Sequence, residues 1–202
     1  MKKARTTMGA LIMTLVTITA ISCKDANQDN GAAEPMSNEM YQEDGTKNAD
    51  SERLMANDSG NTASDAIIDN YLKIKNALVA DNQEEAAKAG GMLVANFDDF
   101  DTSGYSSEEQ QELKDIIEDA KEHAEHISES PMEHQREHFG ILSKDVIDMI
   151  AITGTDKKLY QDFCPMYNDK KGAQWLSSSE EIKNPYFGSK MMNCGEVQKQ
   201  IN

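Results

Sequence analysis

Positive charge is scarce in this chain: 20 Lys and Arg stand against 36 Asp and Glu in 202 residues, a formal charge of −16. Binding a phosphate backbone needs a local excess of cations, and no Lys/Arg cluster occurs along the sequence, so nucleic acid is not an expected partner. Aromatics make up only 6% and hydrophobic residues 38%. That is too little to pack the whole length, and one modest core beside an unfolded stretch is expected. The apolar run from Met8 to Ile21 is too short to cross a bilayer as a helix. No nucleophile, base and orienting group stand in a recognised arrangement and no His-Glu-x-x-His occurs, so an enzyme is not expected. Cysteines number three, one near the amino terminus and two near the carboxyl end.

Lys2, Lys3 and Arg5 precede the Met8–Ile21 run, the charged-then-apolar order of a secretory signal over residues 1–22. Ala20-Ile21-Ser22-Cys23 resembles the bacterial lipobox, in which the cysteine is lipidated and becomes the first residue. Cys23 is therefore the expected lipidation site. Two or more acyl chains, at about 0.8 kcal/mol per buried CH₂, anchor a protein stably to a membrane surface. Cys23-Lys24-Asp25 also resembles the acidic surface-export signals of some bacterial lipoproteins. The expected location is the cell envelope, at the outer membrane, facing periplasm or exterior.

Residues 23–64 hold the lipidated cysteine and a linker rich in Asn, Asp, Glu, Ser, Ala and Gly, with a single aromatic, Tyr41, and no sustained apolar period. Such a segment buries too little surface to offset the entropy of ordering and is expected to be disordered. As a flexible coil it would span about 35 Å, enough to hold a domain clear of lipid headgroups.

Residues 65–202 form the expected folded domain, mainly α. Ser64 or Asp65 can cap a first helix with the stripe Ile67, Tyr71, Ile74, Leu78. A second begins at Asp81, with Glu84 at capping-box spacing, and runs through Leu93 and Phe97; Gly90-Gly91 inside it permits close helix approach. Ser106 and Glu109 cap a third, carrying Leu113, Ile116, Ile117, Ala120, Ala124 and Ile127. Ser130-Pro131-Met132-Glu133 opens a fourth, with Phe139, Leu142, Val146 and Met149 inward and an end near Gly154. Short connections predict an antiparallel four-helix bundle. Arg136 is expected to anchor a neighbouring carboxylate.

All four histidines, His123, His126, His134 and His138, fall in the third and fourth helices. Spacings of three and four set each pair on one helix side, which suits a shared zinc or copper ion. Glu122, Glu125, Glu129, Glu133 and Glu137 around them favour solvated faces instead. His126 and His138, each beside a core position, are the better ligand candidates.

Beyond Gly154 the pattern alternates through Leu159–Phe163, turns at Asp169-Lys170-Lys171-Gly172 and resumes at Ala173–Leu176, a short hairpin or irregular cap on the bundle. Cys164-Pro165-Met166 and Met191-Met192-Asn193-Cys194 bring two thiols and thioethers into this terminal element. Sulfur donors of this kind favour Cu(I) and Ag(I) over hard cations. In an oxidising envelope the same cysteines can instead form a disulfide, closing a loop of roughly 30 residues for about 3.5 kcal/mol.

Leu159-Tyr160-x-x-Phe163-Cys164-Pro165-Met166, Trp175-Leu176-Ser177, Asn184-Pro185-Tyr186-Phe187-Gly188 and Met191-x-x-Cys194-Gly195, preceded by Gln135-Arg136-x-x-Phe139-x-x-Leu142-Ser143, resemble a bacterial domain of unknown function. That domain occurs as stand-alone lipoproteins and as the carboxyl-terminal extension of periplasmic adaptor subunits in copper/silver efflux systems. The resemblance covers about Ala66 to Ile201 and implies a helical domain associated with heavy-metal handling, with efflux components as partners. Cys-Pro-Met also looks like the core of heavy-metal-binding modules, although Tyr167 stands where those carry histidine. The expected function is an anchored lipoprotein that binds or buffers Cu(I) or Ag(I). Its ligands are Cys164, Met166, Met191 and Cys194, with His126 or His138 as a nitrogen donor. The alternative is a non-catalytic interaction module with a structural Cys164–Cys194 disulfide.

Overall fold

The computed structural model of the protein describes residues 49–202, with side chains from residue 63 onward. The signal segment, Cys23 and the first part of the linker lie outside the described residues. Four helices, α1 (Ala49–Val79), α2 (Gln83–Asp98), α3 (Ser107–Glu129) and α4 (Met132–Thr153), form the antiparallel bundle expected from the apolar stripes. Ile67, Tyr71, Ile74, Leu78, Leu93, Phe97, Leu113, Ile127, Phe139, Leu142 and Met149 are all buried in its core. None of the described helices is long and apolar enough to cross a membrane.

Local chemistry sets the helix ends, with some departures from expectation. Ser106 and Glu109 make the full reciprocal capping box at the start of α3. The α2 cap is Asn82, whose side chain accepts from the Glu85 N–H at 3.2 Å. Asp81, the expected cap, instead takes a left-handed conformation with φ of 55°. Ser130 makes no cap for α4; the Met132 N–H donates to Gln83 Oε1 at 3.1 Å, so α2 supplies the acceptor. α1 starts at Ala49, ahead of the expected Ser64. Good helix formers such as Glu52, Arg53, Leu54 and Ala56 extend a helix already nucleated by the apolar stripe, at one hydrogen bond per residue fixed. A Cβ on Gly90 would meet Ala124 O at 3.0 Å and Ser128 N at 3.1 Å, so this glycine lets α2 and α3 approach backbone to backbone. Gly91 faces open space.

The terminal cap is a three-stranded antiparallel sheet in the order β2-β1-β3, from β1 (Leu159–Cys164), β2 (Ala173–Ser177) and β3 (Glu196–Ile201). The β1–β2 hairpin follows the expected alternation. Its turn includes three consecutive left-handed residues, Asn168, Asp169 and Lys170, ahead of Gly172 at φ 81°. The Tyr71 hydroxyl ties sheet to bundle, pairing with Ser143 Oγ at 2.8 Å and accepting from the Leu176 N–H at 3.0 Å.

Arg136 does more than the expected single anchor. Buried on α4, it donates from Nε to Pro185 O at 2.9 Å and from Nη2 to Leu78 O at 2.9 Å and Asp81 Oδ1 at 2.6 Å. Hydrogen bonds from Ser189 and then Arg136 hold the Asp81 carboxyl down to about 2. One side chain thus joins α4, the α1–α2 turn and the segment leading to β3.

Candidate metal centre

Ser130 and Pro131 separate α3 from α4 by a tight turn, so positions equidistant from it face each other across the two helices. His123 and His126 on α3, three apart, therefore meet His134 and His138 on α4, four apart. His123 Nδ1 lies 2.8 Å from His138 Nδ1, and His138 Nε2 lies 3.0 Å from His134 Nε2. The His126 ring stacks on His138, with centroids 4.2 Å apart and planes at 15°. One ring nitrogen from each of His126, His134 and His138 lies within 4.8 Å of the others. Two nitrogens on one ion at about 2.0–2.1 Å can be no more than about 4.2 Å apart, so a small rotation closes the set. His126 and His134, 46% and 44% exposed, are free to make it.

The electrostatics suit a cation ligand set. Burial first, then the neighbouring imidazoles His126, His134 and His123, push the His138 pKa down to about 4. At neutral pH His138 is therefore a neutral imidazole, with a lone pair on one ring nitrogen and no net positive charge to repel a metal. Carboxylates ring the cluster. Glu137 Oε2 accepts from His134 Nδ1 at 3.1 Å, and Glu122 Oε1 stands 3.9 Å from His126 Nε2. Carboxylates so placed orient metal-ligating imidazoles and raise their basicity. The glutamates do mark solvated faces: His126 and His134 stay beside Glu122 and Glu137 at the mouth of the α3–α4 seam, whereas His123, deeper in it, is only 12% exposed.

Beside this cluster, Asp119, His123 and Asp145 each place a ligand atom within 4.8 Å of the others. Asp119 and His123 are one turn apart on α3, with 3.6 Å between Asp119 Oδ1 and His123 Nε2. Asp145 comes from α4, two turns beyond His138. Burial, and secondarily the Asp119 charge, raise its pKa to about 7.

The sulfur residues divide into two groups. β3 runs antiparallel to β1 and brings Cys194 to Cys164, with 2.7 Å between the sulfurs. Asn184, fully buried, fixes the approach: its Nδ2 donates to Cys194 O at 2.6 Å, and its Oδ1 accepts from the Tyr186 and Phe187 N–H groups. Burial and the neighbouring Cys164 raise the Cys194 thiol to about 11. Met166 and Met191 are 48% and 40% exposed. The structure thus brings the two cysteines together and leaves both methionines partly exposed.

Of the expected ligands, His126 and His138 lie in the cluster. His123 and His134 complete it, and Asp119 and Asp145 adjoin it. Reflection of the histidine positions through the Ser130–Pro131 turn is the sequence signal that finds them.

Residues 67–158 match the model of a protein family of unknown function, DUF3347. The matched segment runs from the α1 stripe to the threshold of β1; it includes all four histidines, Asp119 and Asp145, and stops short of Cys164. No curated protein and no solved structure matches the chain.

Proposed function

We propose that the protein is a lipid-anchored envelope protein that binds and buffers a transition-metal ion, copper foremost, on the imidazoles of His126, His134 and His138. The observation that carries this reading is the convergence of three ring nitrogens within 4.8 Å in the α3–α4 seam. Imidazole suits Cu, Zn and Ni, and copper(II) binds most tightly among the first-row divalent ions. In this reading the donors are imidazole nitrogens, and the sulfur set expected from the sequence is the alternative ligand set. Cys164 and Cys194, free thiols with sulfurs 2.7 Å apart, are placed to close a disulfide on oxidation that would pin the segment entering β3 to β1. Cys23 carries the lipid, and heavy-metal efflux components are the partners the resemblance implies.

Titration of metal-free protein with Cu(II), followed by EPR, tests the site. One equivalent bound with nitrogen hyperfine structure is expected, and about a tenfold or greater loss of affinity in His134→Ala. Unchanged affinity in that variant, or no binding in competition with a micromolar chelator, overturns it. Palmitate labelling lost in Cys23→Ala tests the anchor.

An interaction module is the second reading. Ile141 and Met166, 45% and 48% exposed, line an open cleft with Phe163, Tyr167 and Phe187 between α4 and the sheet. Retention of an envelope partner by the metal-free protein, lost in Ile141→Glu, would favour it.

A further inference from the structure

Asp145 is 6% exposed, and its Oδ2 has no hydrogen-bond partner among the described residues. Burying a carboxylate oxygen with neither donor nor cation is costly, and native structures resolve such groups with a bound partner or by taking up a proton. Neighbouring side chains do not provide one. Lys144, the nearest cation in sequence, turns to Asp148 on the surface at 3.4 Å. The groups beside Asp145 are Asp119, itself a carboxylate, and His123.

The imidazole row leads to the same place. His123 Nδ1 lies 2.8 Å from His138 Nδ1, and the other ring nitrogen of His123, Nε2, faces Asp119 Oδ1 at 3.6 Å. Asp119, His123 and Asp145 thus each offer one ligand atom within 4.8 Å of the others, at the end of the row nearest the buried Asp145.

We propose that Asp119 and His123 of α3 and Asp145 of α4 form a second cation site, distinct from the three-histidine set. It takes a divalent ion that accepts mixed carboxylate and imidazole ligands, such as Mn(II) or Zn(II). The buried Asp145 oxygen and the His123 nitrogen form its floor. Asp119, 57% exposed, is the ligand that meets an incoming ion. An acidic depression lined by Asp115, Glu118, Asp119 and Glu122 gives the approach. The site does not require an ion on the three histidines.

Mn(II) is the probe. Metal-free protein in 0.15 M salt with excess Mg(II) is titrated with Mn(II), and free ion is followed by EPR. One equivalent of signal loss is expected. Asp145→Asn and Asp119→Asn should each weaken it by about tenfold or more, while His134→Ala should stay within about twofold of the parent. The exposed Asp119 variant keeps the test decisive if Asp145→Asn perturbs folding. Broadening of the His123 ring ¹⁵N signals by Mn(II) is the second readout. Equal binding by the parent and both Asp variants would overturn the site as general surface attraction. So would a His123 imidazolium signal in the parent with no Mn(II) uptake, which would mean that a proton meets the need. Because His134→Ala removes the copper site alone, failure of one site is distinguishable from failure of the other.

Discussion

His123 Nδ1 and His138 Nδ1 stand 2.8 Å apart, so one of these nitrogens donates the proton that the other accepts. A metal ion on His138 Nε2 leaves the His138 proton on Nδ1, which then donates to His123. His123 in turn carries its proton on Nε2, toward Asp119 and Asp145. The two candidate sites therefore want opposite tautomers of His123 and should oppose each other. One equivalent of Cu(II) is expected to weaken Mn(II) binding by about tenfold, and by linkage Mn(II) to weaken copper equally. Competitive titration read by the Mn(II) EPR lines checks this; independent binding would break the link.

Arg136→Ala removes three hydrogen bonds at once, takes the side-chain donor from Pro185 O and leaves Leu78 O with only the Asp81 N–H at 3.3 Å. A loss of about 3 kcal/mol in urea unfolding is expected. Arg136→Lys should recover only part of it, because a lysine cannot present the planar fork that reaches Pro185, Leu78 and Asp81 together. Full recovery by lysine would show that charge alone matters.

Cys164→Ser and Cys194→Ser should each destabilise the oxidised protein by about 3.5 kcal/mol in the chain-entropy picture. The deficit should nearly vanish when parent and variants are compared under reductant. Unfolding curves with and without dithiothreitol measure it. A parent insensitive to reductant would exclude the staple.

Asp162, fully buried on β1, has neither carboxylate oxygen in full hydrogen-bond geometry among the described residues. Burial raises its pKa to about 7, opposed first by the buried Lys75 and then by the Trp175 indole. A raised carboxyl means that the folded state holds the proton more tightly than the unfolded one. Its contribution is therefore present below the ordinary carboxylate pKa and is lost as pH rises toward 7. Asp162→Asn should thus gain stability relative to the parent between pH 4 and pH 7, with a flat difference above. Urea titrations across that range would expose a difference independent of pH, which would contradict the assignment.

The helices were legible because their signals are local. Ile67 to Leu78 repeat at helical spacing, and Ser106 with Glu109 completes a cap within a single turn. Asn82 in place of Asp81 was not legible, since Asp81 is claimed by Arg136, 55 residues away. β3 was not legible either. Glu196–Ile201 is mostly exposed and lacks apolar alternation, and becomes a strand only because β1 offers it an edge.

Residue types and their spacing by themselves determined the helical bundle, the acidic surface, the pairing of histidines within each helix and the soft donors near the end. Tertiary structure alone decided which of those donors meet. The α3–α4 turn superimposes two histidine pairs that are separate in the chain, and it buries Asp145 beside them. The sheet draws Cys164 to Cys194 while leaving Met166 and Met191 partly exposed. Spacing along one helix sets which side a residue takes, but a ligand set needs side chains from two elements. Their separation depends on how those elements pack.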